Sequence, residues 1–203
     1  MAEKFYENLG LNVLMPYQRA HGLSEGRYIS YGIKERGDVH KWIEFINKRY
    51  NYQQDIFLSG LSKGSSTVLM SAGEPYPDNV KLIIADCGFT SPYHIFEHVV
   101  NTTMKVPFKL FIPPFDAICK RKAGFSVREF STVDALRKCK VPVFFIHGEA
   151  DKFVPPYMTD ENYAACASEK YILKVADAPH AVSFMFDTGE YKTKLKSLIQ
   201  KYS

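Results

Sequence analysis

The stretch Asp55–Ala72, DIFLSGLSKGSSTVLMSA, decides how the rest of the chain is read. Its first part, with Gln54–Leu58 (QDIFL), is a short apolar run of strand type. Its last part, Ser65–Ala72, is a helix that Gly73 ends. Between them, Gly60-Leu61-Ser62-Lys63-Gly64 fits G-x-S-x-G. A strand turning at once into a helix holds the middle residue of such a motif in a strained backbone conformation, and small neighbours give it clearance. Gly60 and Gly64 are read as that clearance. The hydroxyl of Ser62 then projects at the carboxyl end of a sheet, beside a helix N-terminus that favours nearby negative charge.

Outward from this motif, short apolar runs alternate with amphipathic helical stretches. That alternation predicts a mainly parallel sheet between layers of helices, a three-layer α/β/α domain over residues 1–203. Asn12–Met15 (NVLM), closed by Pro16, reads as a first strand. The helix Lys34–Tyr50 follows, with Val39, Trp42, Ile43 and Ile46 on one face and His40 toward solvent. After the motif come strands at Val80–Ala85, Val141–Ile146 and Tyr171–Val175, so that about five strands are expected. A closing helix places Tyr191, Leu195, Leu198, Ile199 and Tyr202 on one face. More than fifty residues, Cys87 to Lys140, separate the third and fourth strands. A structureless loop of that length is improbable in a compact domain. The segment of about 91–138, rich in Phe and Pro, is therefore read as a helical cap over Ser62, against the plainer alternative of a Pro-kinked crossover helix.

Composition narrows the function. The chain of 203 residues carries 26 Lys+Arg against 22 Asp+Glu, a formal charge of +4, with no solid basic block. Nucleic-acid binding needs a concentrated patch, so it is disfavoured. Hydrophobic content of 46% with 24% charged residues is globular. No apolar run approaches a membrane span, and MAEKFYENLG lacks a signal-peptide core. Cys87, Cys119, Cys139 and Cys166 are far apart and form no CxxC pair, which fits reduced thiols in a cytoplasmic protein and calls for no metal or other cofactor.

A serine hydroxyl attacks well only when a base removes its proton. His180 (in Ala178-Pro179-His180-Ala181), His147 and His21 each follow a strand, at a carboxyl end. His94 and His98 stand one helical turn apart in the cap segment, without companions that would make a metal site. For the acid that orients the base, both Asp151, in His147-Gly148-Glu149-Ala150-Asp151, and Asp86 lie past strand ends.

Five pieces, NVLMPYQRAHGLSEG, DIFLSGLSKGSS, KLIIADCGFTSPY, VPVFFIHGEADKFVPP and ADAPHAVSF, run in order along the chain. Together they resemble an α/β-hydrolase of the serine-hydrolase type, in the bacterial esterase and serine-aminopeptidase-like group. The resemblance implies a nucleophile at Ser62, an acid at Asp151 in H-G-x-x-D-x-x-V-P, a base at His180, and a backbone oxyanion donor at Lys63. It implies cleavage of a small ester, amide or peptide, and gives His147, His21 and Asp86 structural roles.

The chain also departs from that pattern. The family's first three strands and the loop that carries its second oxyanion donor have no counterpart here, and Ala20 stands where R-G-H-G has glycine. Losing one such donor costs about 3–4 kcal/mol, so a weakly active or inactive binding protein is the alternative function. Three arrangements would resolve the gap between NVLM and DIFLS: the two strands pair directly, a second chain supplies strands, or the chain is a truncated product. A homodimer or a strand-supplying partner is expected, built around Phe5, Tyr6, Leu9 and NVLM. Direct pairing of the two strands would instead make the loop Tyr17–Arg19 the second donor.

Overall fold

In the computed structural model, residues 2–104 and 107–203 are described. Four strands, β1 (Ile56–Leu61), β2 (Val80–Asp86), β3 (Val143–Gly148) and β4 (Lys170–Val175), pair in parallel in the order β1-β2-β3-β4. The central strands β2 and β3 are buried almost throughout, as a parallel sheet covered on both faces requires, whereas β1 and β4 are partly exposed edges.

Period-two alternation sends successive side chains to opposite faces of this sheet. Leu82, Ile84, Phe144, Ile146, Leu173 and Val175 face the helix α9 (Thr188–Tyr202), where Tyr191, Leu195, Leu198 and Ile199 close that side. The short helix α1 (Ala2–Glu7) joins this layer. Ile83, Ala85, Val143 and Phe145 face the other way, onto α3 (Lys63–Ser71), α6 (Thr132–Leu136) and α7 (Tyr157–Ala165). The three-layer α/β/α architecture read from the sequence is therefore present.

The strand count is corrected from about five to four. The NVLM segment, Asn12–Met15, forms no strand and pairs with nothing in the sheet. Leu14–Arg19 and β1 both line a cleft of about 650 Å³, and Pro16 has no N–H to offer a ladder bond. Direct pairing of NVLM with DIFLS is excluded. The exposed apolar surface also differs from expectation. Phe5, Tyr6 and Leu9 pack against the α9-side core, whereas Met15, Tyr17, Phe45 and Leu61 are exposed in and around the cleft.

Helix α2 (Glu35–Tyr50) lies along the cleft. Its first residue, Glu35, is buried and accepts from Ser30 N–H at 2.8 Å, Ser30 Oγ–H at 2.5 Å and Gly32 N–H at 2.9 Å. Those three donors make burial of the carboxylate tolerable. His40 is corrected from the solvent side: its Nε2 meets the Ser71 carbonyl at 2.9 Å and its ring stacks on Tyr76.

The segment 91–138 leaves the sheet at the carboxyl end of β2. It holds α4 (Pro92–Val99), α5 (Phe108–Ile118) and α6, with five-residue π-helical turns at Val100–Met104 and Cys119–Ala123. Lys105 and Val106, within this range, lie outside the described residues. Phe108, Ile112, Cys119, Phe125 and Val127 form a small core of their own with Ile33. Helix α6 instead flanks the sheet beside α3 and α7, as a crossover helix does. No helix among the described residues is long and apolar enough to cross a membrane.

Candidate active site

The turn from β1 into α3 is as sharp as the motif requires. Ser62 sits at φ +53° and ψ −116°, outside the regions an ordinary residue prefers. Its N–H donates to the Asp86 carbonyl at 2.8 Å, which ties the turn to the end of β2. A Cβ on Gly60 would lie 2.4 Å from the Gly64 backbone, so no side chain fits there. A Cβ on Gly64 would meet nothing within 4 Å. The clearance is thus supplied by Gly60, and the reading that both glycines are needed is corrected.

The loops after β3 and β4 bring the other expected residues to this turn. His180 Nε2 lies 2.9 Å from Ser62 Oγ, and its Nδ1 lies 2.6 Å from Asp151 Oδ2. A carboxylate only accepts, so Nδ1 carries the proton and Nε2 is left to receive one from the serine hydroxyl. The other Asp151 oxygen accepts the N–H groups of Phe153 and Val154, each at 2.9 Å. Burial alone would raise the Asp151 carboxyl. Hydrogen bonds from His147 and His180, with Val154 N–H, outweigh it and hold the group far below the usual carboxylate range.

His147 is fully buried and braces this acid. Its Nε2 lies 2.9 Å from the Val154 carbonyl and 3.2 Å from Asp151 Oδ2, and its Nδ1 meets Thr159 Oγ1 at 2.6 Å. Nε2 faces only acceptors and therefore donates, and the threonine hydroxyl serves Nδ1. The contact with Asp151 was legible in the i, i+4 spacing of H-G-E-A-D, but not assigned from it. Asp86 lies apart from His180. Its carboxylate is approached by Tyr191 Oη at 3.2 Å, and burial, partly offset by Tyr191, pushes it up to about 6.

Lys63 opens α3, and a first-turn N–H has no carbonyl to reach within its own helix. Its side chain turns to the cleft side, where Nζ donates to His21 Nε2 at 2.6 Å while His21 Nδ1 meets the Arg19 carbonyl at 2.8 Å. Arg19 in turn grips Asp38 of α2 with two bonds of 2.6 and 2.7 Å. Gln18 Nε2 reaches Thr67 Oγ1 of α3 at 3.3 Å. The turn Gln18–His21 is therefore tethered to α3 and α2 in a way that no sequence motif announced. His94 meets Thr90, and His98 meets the Lys152 carbonyl at 2.9 Å, so the two do not converge. Phe153, half exposed, lies with its ring 5.0 Å from that of His180.

Among the described residues, Cys87, Asp151 and His180 are the group whose donor atoms come close enough for a metal ion. Burial pushes the Cys87 thiol up, away from the thiolate a metal prefers, and Asp151 and His180 already bond to each other. The set fits proton transfer better than metal binding.

No family model matches the chain. Protein YqkD of Bacillus subtilis (strain 168), itself uncharacterized, is 28% identical over 192 residues, 95% of this chain and 63% of that protein. The alpha/beta hydrolase domain-containing protein WAV2 of Arabidopsis thaliana is 27% identical over 210 aligned positions, spanning 100% of this chain and 65% of that one. The chain thus spans just under two thirds of the length of these curated relatives. An esterase of Pyrococcus furiosus superposes with a TM-score of 0.75 at 22% identity, over 99% of this chain and 75% of the esterase. With its parallel sheet, its sharp strand-to-helix turn and this structural likeness, the chain carries the α/β-hydrolase fold.

Proposed function

We propose that this protein is a serine hydrolase that cleaves a small ester or amide through an acyl-enzyme. The observation that carries the reading is the continuous hydrogen-bonded relay Ser62–His180–Asp151 at a strained strand-to-helix turn. His180 Nε2 takes the hydroxyl proton as Ser62 Oγ attacks the carbonyl carbon. The oxyanion that forms is met by the Lys63 N–H at the start of α3. Asp151 stabilises the imidazolium, which then protonates the leaving alcohol or amine. Water, deprotonated by the same imidazole, releases the acid. A relay satisfied at every link speaks against an inactive binding protein.

Three further assignments belong to this reading. The excursion through α4 and α5, leaving from the carboxyl end of β2, acts as the cap over Ser62, and with Phe153 it offers an apolar surface to the acyl or side-chain part of the substrate. The open edge of β1 is covered by a second copy or by a partner strand, which light scattering of the purified chain tests at micromolar concentration. Four free cysteines support work in a reducing compartment such as the cytoplasm.

The test is a stopped-flow assay with a short-chain nitrophenyl ester. The reading expects a burst of nitrophenol stoichiometric with protein, followed by slower turnover, with both lost in Ser62→Ala. Turnover that survives in Ser62→Ala would overturn it.

A further inference from the structure

We propose that Cys139 and Cys166 form a peroxide-sensitive dithiol, which closes to a disulfide tying the segment before β3 to the segment before β4. All four cysteines are free and buried. Cys87 lies beside the relay, and Cys119 lies in the small core of the α4–α5 excursion. Cys139 and Cys166 share one cluster on the α3 side of the sheet.

The backbones that carry the pair are already held together. Ala167 N–H donates to the Leu136 carbonyl at 3.0 Å, and Ser168 Oγ–H donates to the Val141 carbonyl at 2.7 Å. The Ser168 oxygen lies 3.3 Å from Cys166 Sγ and 3.7 Å from Cys139 Sγ, so one hydroxyl touches both sulfurs. The two segments that carry the thiols are thus joined by hydrogen bonds before any disulfide forms.

The two thiols are also unequal. The interaction between them pulls Cys166 down and pushes Cys139 up, and the Ser168 N–H and the Lys170 ammonium favour the Cys166 thiolate further. Lys170 Nζ is anchored to the Cys166 carbonyl at 3.0 Å, which keeps that charge in place. Cys166 is thus the sulfur that meets the oxidant.

The chemistry balances with a hydroperoxide as oxidant. The Cys166 thiolate attacks the O–O bond, giving a sulfenic acid and an alkoxide, or hydroxide from hydrogen peroxide, which takes up the proton lost from the thiol. The Cys139 thiol then attacks the sulfenic sulfur and expels water. Two thiols and one peroxide become one disulfide, water and an alcohol or a second water. The bond forms at the amino ends of β3 and β4, whereas Ser62, Asp151 and His180 lie at the carboxyl ends. Its effect is on stability rather than on the geometry of the relay.

The test uses the whole folded chain with hydrogen peroxide as probe, then alkylation in denaturant and mass analysis. The expected product has lost about 2 Da, keeps two alkylatable thiols at Cys87 and Cys119, yields a peptide joining Cys139 to Cys166, and reverts with dithiothreitol. Its melting temperature rises by roughly 5–10 °C. In Cys139→Ser, checked for an unchanged melting curve, oxidation stops at a dimedone-reactive sulfenic acid on Cys166. Cys166→Ser, checked in the same way, is not oxidised at Cys139. Four free thiols after treatment, a cross-link through Cys87 or Cys119, or a disulfide that forms only in the denatured chain would overturn the proposal.

Discussion

On one side of Ser62, strands β2, β3 and β4 are paired in parallel; β2 ends on Asp86, and the loops after β3 and β4 carry Asp151 and His180. On the other side, β1 presents an unpaired edge to a cleft of about 650 Å³, and Leu14–Arg19 stands across it without joining the sheet. The closed half is held by its strand ladders and by the four donors on Asp151. The open half has no strand pairing and is stitched by side-chain tethers, such as Lys63 to His21, Gln18 to Thr67 and Tyr6 Oη to Ser59 Oγ at 2.9 Å. On the proposed mechanism, proton transfer depends on the closed half, and stabilisation of the oxyanion falls at Lys63, where the two halves meet.

That division orders the expected effects. The largest falls in the closed half. Asp151→Asn should lower turnover on an ester by on the order of 10⁴-fold, since the amide can present its N–H to His180 and select the wrong tautomer. Asp86→Asn, whose side chain does not touch His180, should change turnover by less than about tenfold. Initial rates for the two variants decide it, and the reverse ranking would move the acid to the end of β2.

At the junction of the halves, Gly60→Ala should destabilise the fold by about 3–5 kcal/mol, because its Cβ would overlap the Gly64 backbone. Gly64→Ala places a methyl in open space and should melt close to the parent. Similar melting of the two variants would show that the turn relaxes more freely than its geometry implies.

This contrast also marks the limit of what could be read from the sequence. The G-x-S-x-G pattern located the strained turn, but not which glycine gives way, because that depends on where the α3 backbone returns. Ser62, Asp151 and His180 were legible as residues that follow strands, but so were His147, His21 and Asp86, and only the resemblance to an α/β-hydrolase preferred the first three. The role of NVLM was not. An apolar run of four residues satisfies the strand pattern whether or not a partner lies beside it, and pairing is decided by residues distant in sequence. His40 was misplaced for a similar reason: its inward contacts are with Ser71 and Tyr76, on another element.

A third contrast is electrostatic. Asp86 is held at about 6, above its unfolded value of about 4. Between those pH values the native state keeps a proton that the unfolded state has lost. Stability therefore falls as pH rises through this interval, by on the order of 3 kcal/mol, and the loss is complete above it. Asp151 behaves in the opposite sense: its folded value is depressed, so its contribution is present above the unfolded value and is lost only in strong acid. Melting curves at pH 4 and pH 7 should show the decline attributable to Asp86 disappear in Asp86→Asn. An unchanged decline would mean that Asp86 is already ionised at pH 4.

The smallest effect is expected in the open half. His21→Gln keeps an acceptor for Lys63 and should lower turnover by less than about tenfold, with the change in kcat rather than KM if the Gln18–His21 turn positions the oxyanion side. A loss as large as that of Asp151→Asn would place His21 in the proton relay and break the division between the halves.

The most direct test of the central claim is covalent. A fluorophosphonate reacts with a serine only when a base activates it. Incubation of the folded chain with such a probe, followed by mass analysis of its peptides, should show one adduct on Ser62, none in Ser62→Ala, and strongly slowed labelling in His180→Ala. A folded, cooperatively melting protein that leaves Ser62 unlabelled, or that is labelled at another serine, would contradict the account.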